Sequence, residues 1–322
     1  MQALLEDLRH LLQTLDESLW ERRISEGRLD RWLENFDSAP DPKKARLHAL
    51  YLASQFLYFG DREIRALLHA VYRDLFKYPI IAELRRAGAK AGSRELEDAF
   101  SQLLARTRFL ALGNPSESGS HLLYFFRQEN GLSKKLFVAP HQLVTGFAEG
   151  SPRLALQDVE QYVFVDDFCG TGRQVKTYSR EIVAALRSAA KAASARVTVS
   201  YFPLVATETG LGAVRRAKIF DRADAAILLD NSYRCFSAPA RQFTSAHQLI
   251  DKTYARELCT SLGKGLCPAH PLGYGPGQLL LGFHHNTPNN TLPIMWADGV
   301  THGTWRPLFR RYGKVTLGST GQ

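Results

Sequence analysis

The stretch Tyr162-Val163-Phe164-Val165-Asp166-Asp167-Phe168-Cys169-Gly170-Thr171-Gly172-Arg173-Gln174 changes character abruptly along its length. Four apolar residues rich in β-formers predict a short strand buried on both faces, and the pair of acids that follows predicts the strand's end. From Gln174 onward Val175, Tyr178, Ile182 and Leu186 recur at helical spacing, so the loop opens directly into a helix. A strand, a glycine-containing loop and a helix N-terminus bring unpaired backbone N–H groups and the positive end of a helix dipole to one point, which suits phosphate.

A bare phosphate site has no use for carboxylates just ahead of it. A ligand that is phosphate at one end and polyhydroxylic at the other does, because Asp166 and Asp167 can accept hydrogen bonds from ribose hydroxyls or hold them through Mg2+. The implied ligand is a ribose 5-phosphate. An Asp-Asp turn with Gly170 and Gly172 serving the backbone alone is the structural alternative.

The stretch resembles the type I phosphoribosyltransferases, whose signature is four apolar residues, two acids, two further residues and a Thr/Ser/Gly-rich phosphate loop. The resemblance implies that Asp166 and Asp167 are the ribose-binding, catalytic acids and a Mg2+ site, and that Gly170, Thr171, Gly172, Arg173 and Gln174 hold the 5-phosphate of phosphoribosyl pyrophosphate or a nucleotide. Two positions depart from it: Gly170 stands where a Ser or Thr is usual, and Gln174 replaces the usual closing Thr or Ser. Both departures remove hydroxyl donors.

Upstream, Phe109-Leu110-Ala111-Leu112 reads as a buried strand running into Gly113-Asn114-Pro115-Ser116-Glu117-Ser118-Gly119-Ser120 and a helix from His121. By the same resemblance Ser116 to Ser120, with Ser116, Ser118 and Gly119 as ligand contacts, is the pyrophosphate-binding segment; a helix cap by Ser116 or Ser118 is the alternative. Further strands are expected at Leu136–Val138, Arg196–Phe202 and Ala225–Leu229. With helices between them, these give an α/β fold with a mostly parallel sheet, whose ligands gather at the carboxyl ends of the strands.

The first segment reads as helical. Leu5, Leu8, Leu12, Leu15 and Leu19 form an apolar seam, Lys43 to Phe59 a helix stopped by Gly60, and Asp61 an N-cap for the next. The first 106 residues balance their charges, so the whole +9 excess falls later, in the part that carries the phosphate loop. Charge and periodicity together place a domain boundary there: 1–106 helical, 107–322 phosphoribosyltransferase-like. Four cysteines without a Cys-x-x-Cys pair are expected free, and Cys259, Cys267 and His270 lack a second close pair to complete a metal site. With Glu6 and Asp7 at the start and no long apolar run, the expected location is cytoplasmic, away from membranes.

The tail contains Phe283-His284-His285-Asn286-Thr287-Pro288-Asn289-Asn290-Thr291. Together with Trp32-Leu33-Glu34-Asn35-Phe36, Phe56-Leu57-Tyr58-Phe59 and the acid loop, it resembles the phosphoribosyltransferase-like proteins of bacterial conflict systems, PRTase-CE. That resemblance covers most of the chain. It implies an anti-phage defence or retron effector acting on nucleotides or nucleic acid beside a partner such as a reverse transcriptase. His284 and His285 read as acid/base groups, and Asn286, Asn289 and Asn290 as contacts to a base or ribose. A turn network stapling the tail is the alternative. An enzyme of phosphoribosyl or N-glycosidic class, a nucleotide-sensing module docking a partner through its helices, and a nucleic-acid-binding subunit all remain open.

Overall fold

A computed structural model describes residues 1–112, 118–146, 152–275, 277–298 and 305–312, the side chains of Glu26 and of residues 118–120 excepted. In chain order the helices are α1 (Gln2–Ser18), α2 (Glu26–Glu34), α3 (Pro42–Ser54), α4 (Asp61–Ala70), α5 (Tyr78–Arg86), α6 (Arg94–Ala105), α7 (Ser118–Glu129), α8 (Arg173–Ala192), α9 (Glu208–Ala217), α10 (Lys252–Leu266) and α11 (Pro293–Trp296). The strands are β1 (Leu57–Phe59), β2 (Thr107–Ala111), β3 (Val144–Thr145), β4 (Arg153–Leu154), β5 (Gln161–Cys169), β6 (Thr198–Thr207), β7 (Arg222–Ala223), β8 (Ile227–Leu229) and β9 (Leu281–Phe283). No helix among the described residues is long and apolar enough to cross a membrane. The chain divides into two compact units, 62–229 and a second made of 1–61 with 230–322.

The first of these carries the main sheet, in the order β2-β5-β6-β7 with β8 also on β6, and every pairing in it is parallel. The expected α/β architecture is therefore present. β5 lies in the middle, and Tyr162 to Val165 are buried on both faces as their unbroken apolar run requires. β6 runs five residues past its expected end at Phe202, through Pro203. The Pro203 carbonyl accepts from Ala226 N at 3.4 Å, so that residue's hydrogen-bonding edge faces the gap between β7 and β8. The N–H that proline lacks is missing where no strand needs it. Leu136–Val138, expected as a strand, is instead a 3-10 turn at Lys134–Leu136 followed by a single bridge from Phe137 to Phe109.

Residues 62–106 belong with this sheet, contrary to a boundary at 106. α4 runs through a π-helical turn, Val71–Lys77, just before Pro79, whose missing N–H interrupts the ordinary ladder. That turn buries Tyr72 and Phe76 against Phe109 of β2, whose ring lies 5.1 Å from those of Phe76 and Phe126. Charge balance changes at residue 106, but the aromatic packing that defines the unit crosses it.

The second unit returns the tail to the first helices. Leu8 and Leu12 of the α1 seam are buried with α3, while Leu19 is exposed. Trp20, Trp32, Phe36 and Phe56 form the core with Ile294, Met295 and Phe309; Phe56 stacks on Phe309 at 3.9 Å, and Trp32 Nε1 donates to the Ile294 carbonyl at 2.8 Å. α3 stops at Ser54, and Leu57–Phe59 pairs in parallel with Leu281–Phe283 as a separate two-stranded sheet. The helix expected to reach Phe59 ends earlier because β9, far away in sequence, offers this segment a strand partner.

Candidate functional site

The acids lie within β5, which continues to Cys169, and not in a loop after it. Pairing with β6 runs from Gln161 opposite Thr198 to Asp166 opposite Pro203 and resumes at Phe168 opposite Val205. Each acid caps the next main-chain N–H: Asp167 N donates to Asp166 Oδ1 at 3.0 Å and Phe168 N to Asp167 Oδ1 at 2.7 Å. Asp166 also receives the Tyr201 hydroxyl on Oδ2 at 2.8 Å. Tyr201 is fully buried on β6, stacked on Phe220.

As a residue Asp166 keeps some exposure, but its carboxyl is turned onto Tyr201 and loses its hydration. That desolvation, with the neighbouring Asp167 carboxylate, pushes the Asp166 carboxyl well above the usual carboxylate range, against the pull of Tyr201. Burial, then the Asp166 charge, pushes the Tyr201 hydroxyl well above its ordinary value. Burial likewise raises the Cys169 thiol to about 12. Cys169 is buried in the same apolar cluster as Tyr201.

The loop Gly170–Gln174 leads into α8, whose N-cap is Gly172 in the left-handed region at φ 68°. The first turn of α8 directs its main-chain N–H groups toward the loop, the arrangement that favours an anion. Thr171 Oγ1 accepts from Arg173 N at 3.4 Å. Behind the loop stands the start of α9. Thr207, its N-cap, donates to the Gly170 carbonyl at 2.5 Å and accepts from Gly210 N at 2.9 Å. A Cβ on Gly210 would lie 2.3 Å from Gly170 O, and one on Gly172 would lie 2.7 Å from Gly210 O. Tyr201, Thr207 and Gly210 were missed from the sequence; the one signal there was a Thr at a strand end three residues before a Gly, a helix-cap pattern.

The tail residues lie in the other unit. Asn286 Oδ1 accepts from Thr287 N at 2.9 Å and Tyr312 N at 3.0 Å, and Asn290 Nδ2 donates to the Tyr274 carbonyl at 2.9 Å. Asn289 is exposed and offers its carbonyl to Tyr274 N at 2.8 Å. His285 stacks on Phe283. His284 Nδ1 meets Glu21 Oε2 at 2.8 Å, and Glu21 Oε1 accepts from Asp61 N at 2.7 Å. Arg23 donates to Tyr58 OH at 2.7 Å and also to the His284 carbonyl. Glu21 and Arg22, side-chain-bearing residues at φ 54° and 56°, turn the chain sharply enough to present Glu21 and Arg23 to the histidine. Glu21 and Arg23 carried no sequence signal.

Ser116 lies outside the described residues, as does the side chain of Ser118 in the first turn of α7, where Gly119 also sits. Among the described residues no group of three or more His, Cys, Asp or Glu could hold a metal ion. Asp166 and Asp167 offer hard oxygen donors, which fit Mg2+ where a substrate's phosphates and water complete the shell.

The sequence model of the PRTase-CE family matches residues 29–311. No curated protein matches the chain. Among solved structures, the orotate phosphoribosyltransferase from Aeropyrum pernix is similar at 13% identity over 42% of this chain and 73% of that one, with a TM-score of 0.24.

Proposed function

The chain belongs to the PRTase-CE family, a phosphoribosyltransferase-like group, and from that premise we propose that unit 62–229 binds a ribose 5-phosphate-containing ligand for transfer or cleavage at the anomeric carbon. The observation that carries this is the single strand-loop-helix of β5 and α8, which sets a carboxylate pair immediately before a glycine-lined helix N-terminus. Loop Gly170–Gln174 takes the 5-phosphate and Asp167 orients the ribose hydroxyls, with Asp166 behind it. Such chemistry passes through an oxocarbenium-like ribose and depends on clamping and electrostatics more than on a protein nucleophile. Mg2+, where bound, would neutralise substrate phosphates. Segment Ser116–Ser120 is the proposed pyrophosphate contact. In the other unit, His284, its ring oriented by Glu21, and His285 are proposed acid/base groups in their own right, and Asn289 a ligand contact.

The anti-phage or retron setting, a reverse-transcriptase partner and action on nucleic acid are proposals that rest on the resemblance to conflict-system proteins, and a cytoplasmic location is a proposal that rests on the start of the sequence and its lack of a long apolar run. A second reading, a non-catalytic nucleotide sensor, is favoured by Gly170 and Gln174, which leave the loop without two hydroxyl donors.

The test is calorimetric titration of the full chain with phosphoribosyl pyrophosphate, ribose 5-phosphate and nucleoside monophosphates, with and without Mg2+. Asp167→Asn is expected to weaken each ribose-containing ligand about tenfold or more, the cost of a charge-assisted hydrogen bond. Equal affinities in wild type and variant would remove the ribose role. Turnover of the bound ligand separates the enzyme from the sensor.

A further inference from the structure

Thr207 ends β6 and caps α9, and its hydroxyl ties that helix to the neighbouring loop: it accepts from Gly210 N in α9 and donates to Gly170 O in the loop. A trans peptide points its C=O and the following N–H in opposite directions. Pinning the Gly170 carbonyl onto α9 therefore aims the Thr171 N–H away from α9. The contact has no slack. A Cβ on Gly210 would meet Gly170 O at 2.3 Å and Cys169 O at 2.7 Å, and one on Gly172 would meet Gly210 O at 2.7 Å, so backbone touches backbone on both sides.

We propose that the first turn of α9, through Thr207 and Gly210, positions loop Gly170–Gln174 to receive the phosphate end of the ligand; this rests on the phosphoribosyl reading of that loop. Thr207 and Gly210 are positioning residues, since each acts through the main chain of the loop.

The test uses the full chain with Thr207→Val, which keeps the branched shape and removes the hydroxyl, Thr207→Ser, which restores it, and Gly210→Ala, which pushes on the loop and leaves the hydroxyl in place. Amide exchange resolved at Gly172 reports the loop, because Gly172 is a buried loop residue whose N–H is not one of Thr207's partners. In Thr207→Val and Gly210→Ala, Gly172 exchange is expected to rise about tenfold relative to interior amides of β5 and α8, with a similar loss of affinity for ribose 5-phosphate. Thr207→Ser should match wild type in both. Unchanged Gly172 exchange in Thr207→Val, or a loss that serine does not rescue, overturns the inference. If wild type binds no ribose 5-phosphate, the phosphoribosyl reading falls, and the exchange result alone decides whether α9 sets the loop.

Discussion

Two polar stretches stood out in the sequence, and the fold uses them differently. In the tail, Asn286 and Asn290 spend their side-chain amides on main-chain groups of Thr287, Tyr312 and Tyr274, within the same unit. This is the geometry of the turn-network alternative. On β5 the side chains of Asp166 and Asp167 also bond the main chain, but the loop after them is shaped by close backbone approach from α9 at Gly172 and Gly210. A polar stretch that binds itself is a staple; one whose backbone is held from behind is prepared for something else. The tail's exception is His284, whose ring is oriented by a carboxylate from a strained turn.

The comparison can be broken most sharply at Asn286. If the tail is a staple, Asn286→Ala should cost about 0.5–1.5 kcal/mol of stability by removing the acceptor of the Thr287 and Tyr312 N–H groups, while ribose-phosphate affinity stays within twofold. Denaturant unfolding and titration on the same samples decide it. A stable variant that loses ligand would make the tail part of a binding site.

A smaller, pH-dependent effect tests the acid strand. The Asp166 carboxyl is raised in the folded state by burial and by Asp167, so its protonated form is the one the fold favours. The stability this group contributes is fully present below its unfolded value of about 3.9 and is lost as pH rises through the raised folded value. Asp166→Asn should therefore gain on wild type as pH rises from 4 to 8 in urea unfolding. A difference that runs the other way would mean Asp166 is held charged by a partner.

The smallest effect sharpens the picture of the loop's inner support. Cys169, Cys235 and Cys259 are buried, with thiols pushed up by that burial, Cys169 to about 12, whereas Cys267 is partly exposed. A disulfide reagent added to native protein should modify Cys267 rapidly and Cys169 only after unfolding. Rapid modification of Cys169 would show that the loop opens on the native side of the transition.

Much of this protein could be read locally. The run Tyr162–Val165, the acids, Gly172 and the amphipathic start of α8 announce a buried parallel strand, a phosphate-type loop and a helix in sequence order, because each signal lies within a few residues of the next. Even there the strand's end was misplaced. The acids looked like a turn, and only β6 alongside shows that pairing continues to Cys169.

What the tertiary structure decided depends on partners distant in sequence. Trp32 bonds Ile294 262 residues away, so the tail joins the first helices and not the sheet. β1 is a strand because β9 is there, and Pro203 sits inside β6 because β7 stops before β8 begins. Tyr201, Thr207 and Gly210 enter the site only once β5 and β6 lie side by side. Patterns of hydrophobicity and charge record which face a segment buries and carry no address for the surface it meets, so the sequence could place the loop, and the fold alone could show what holds it.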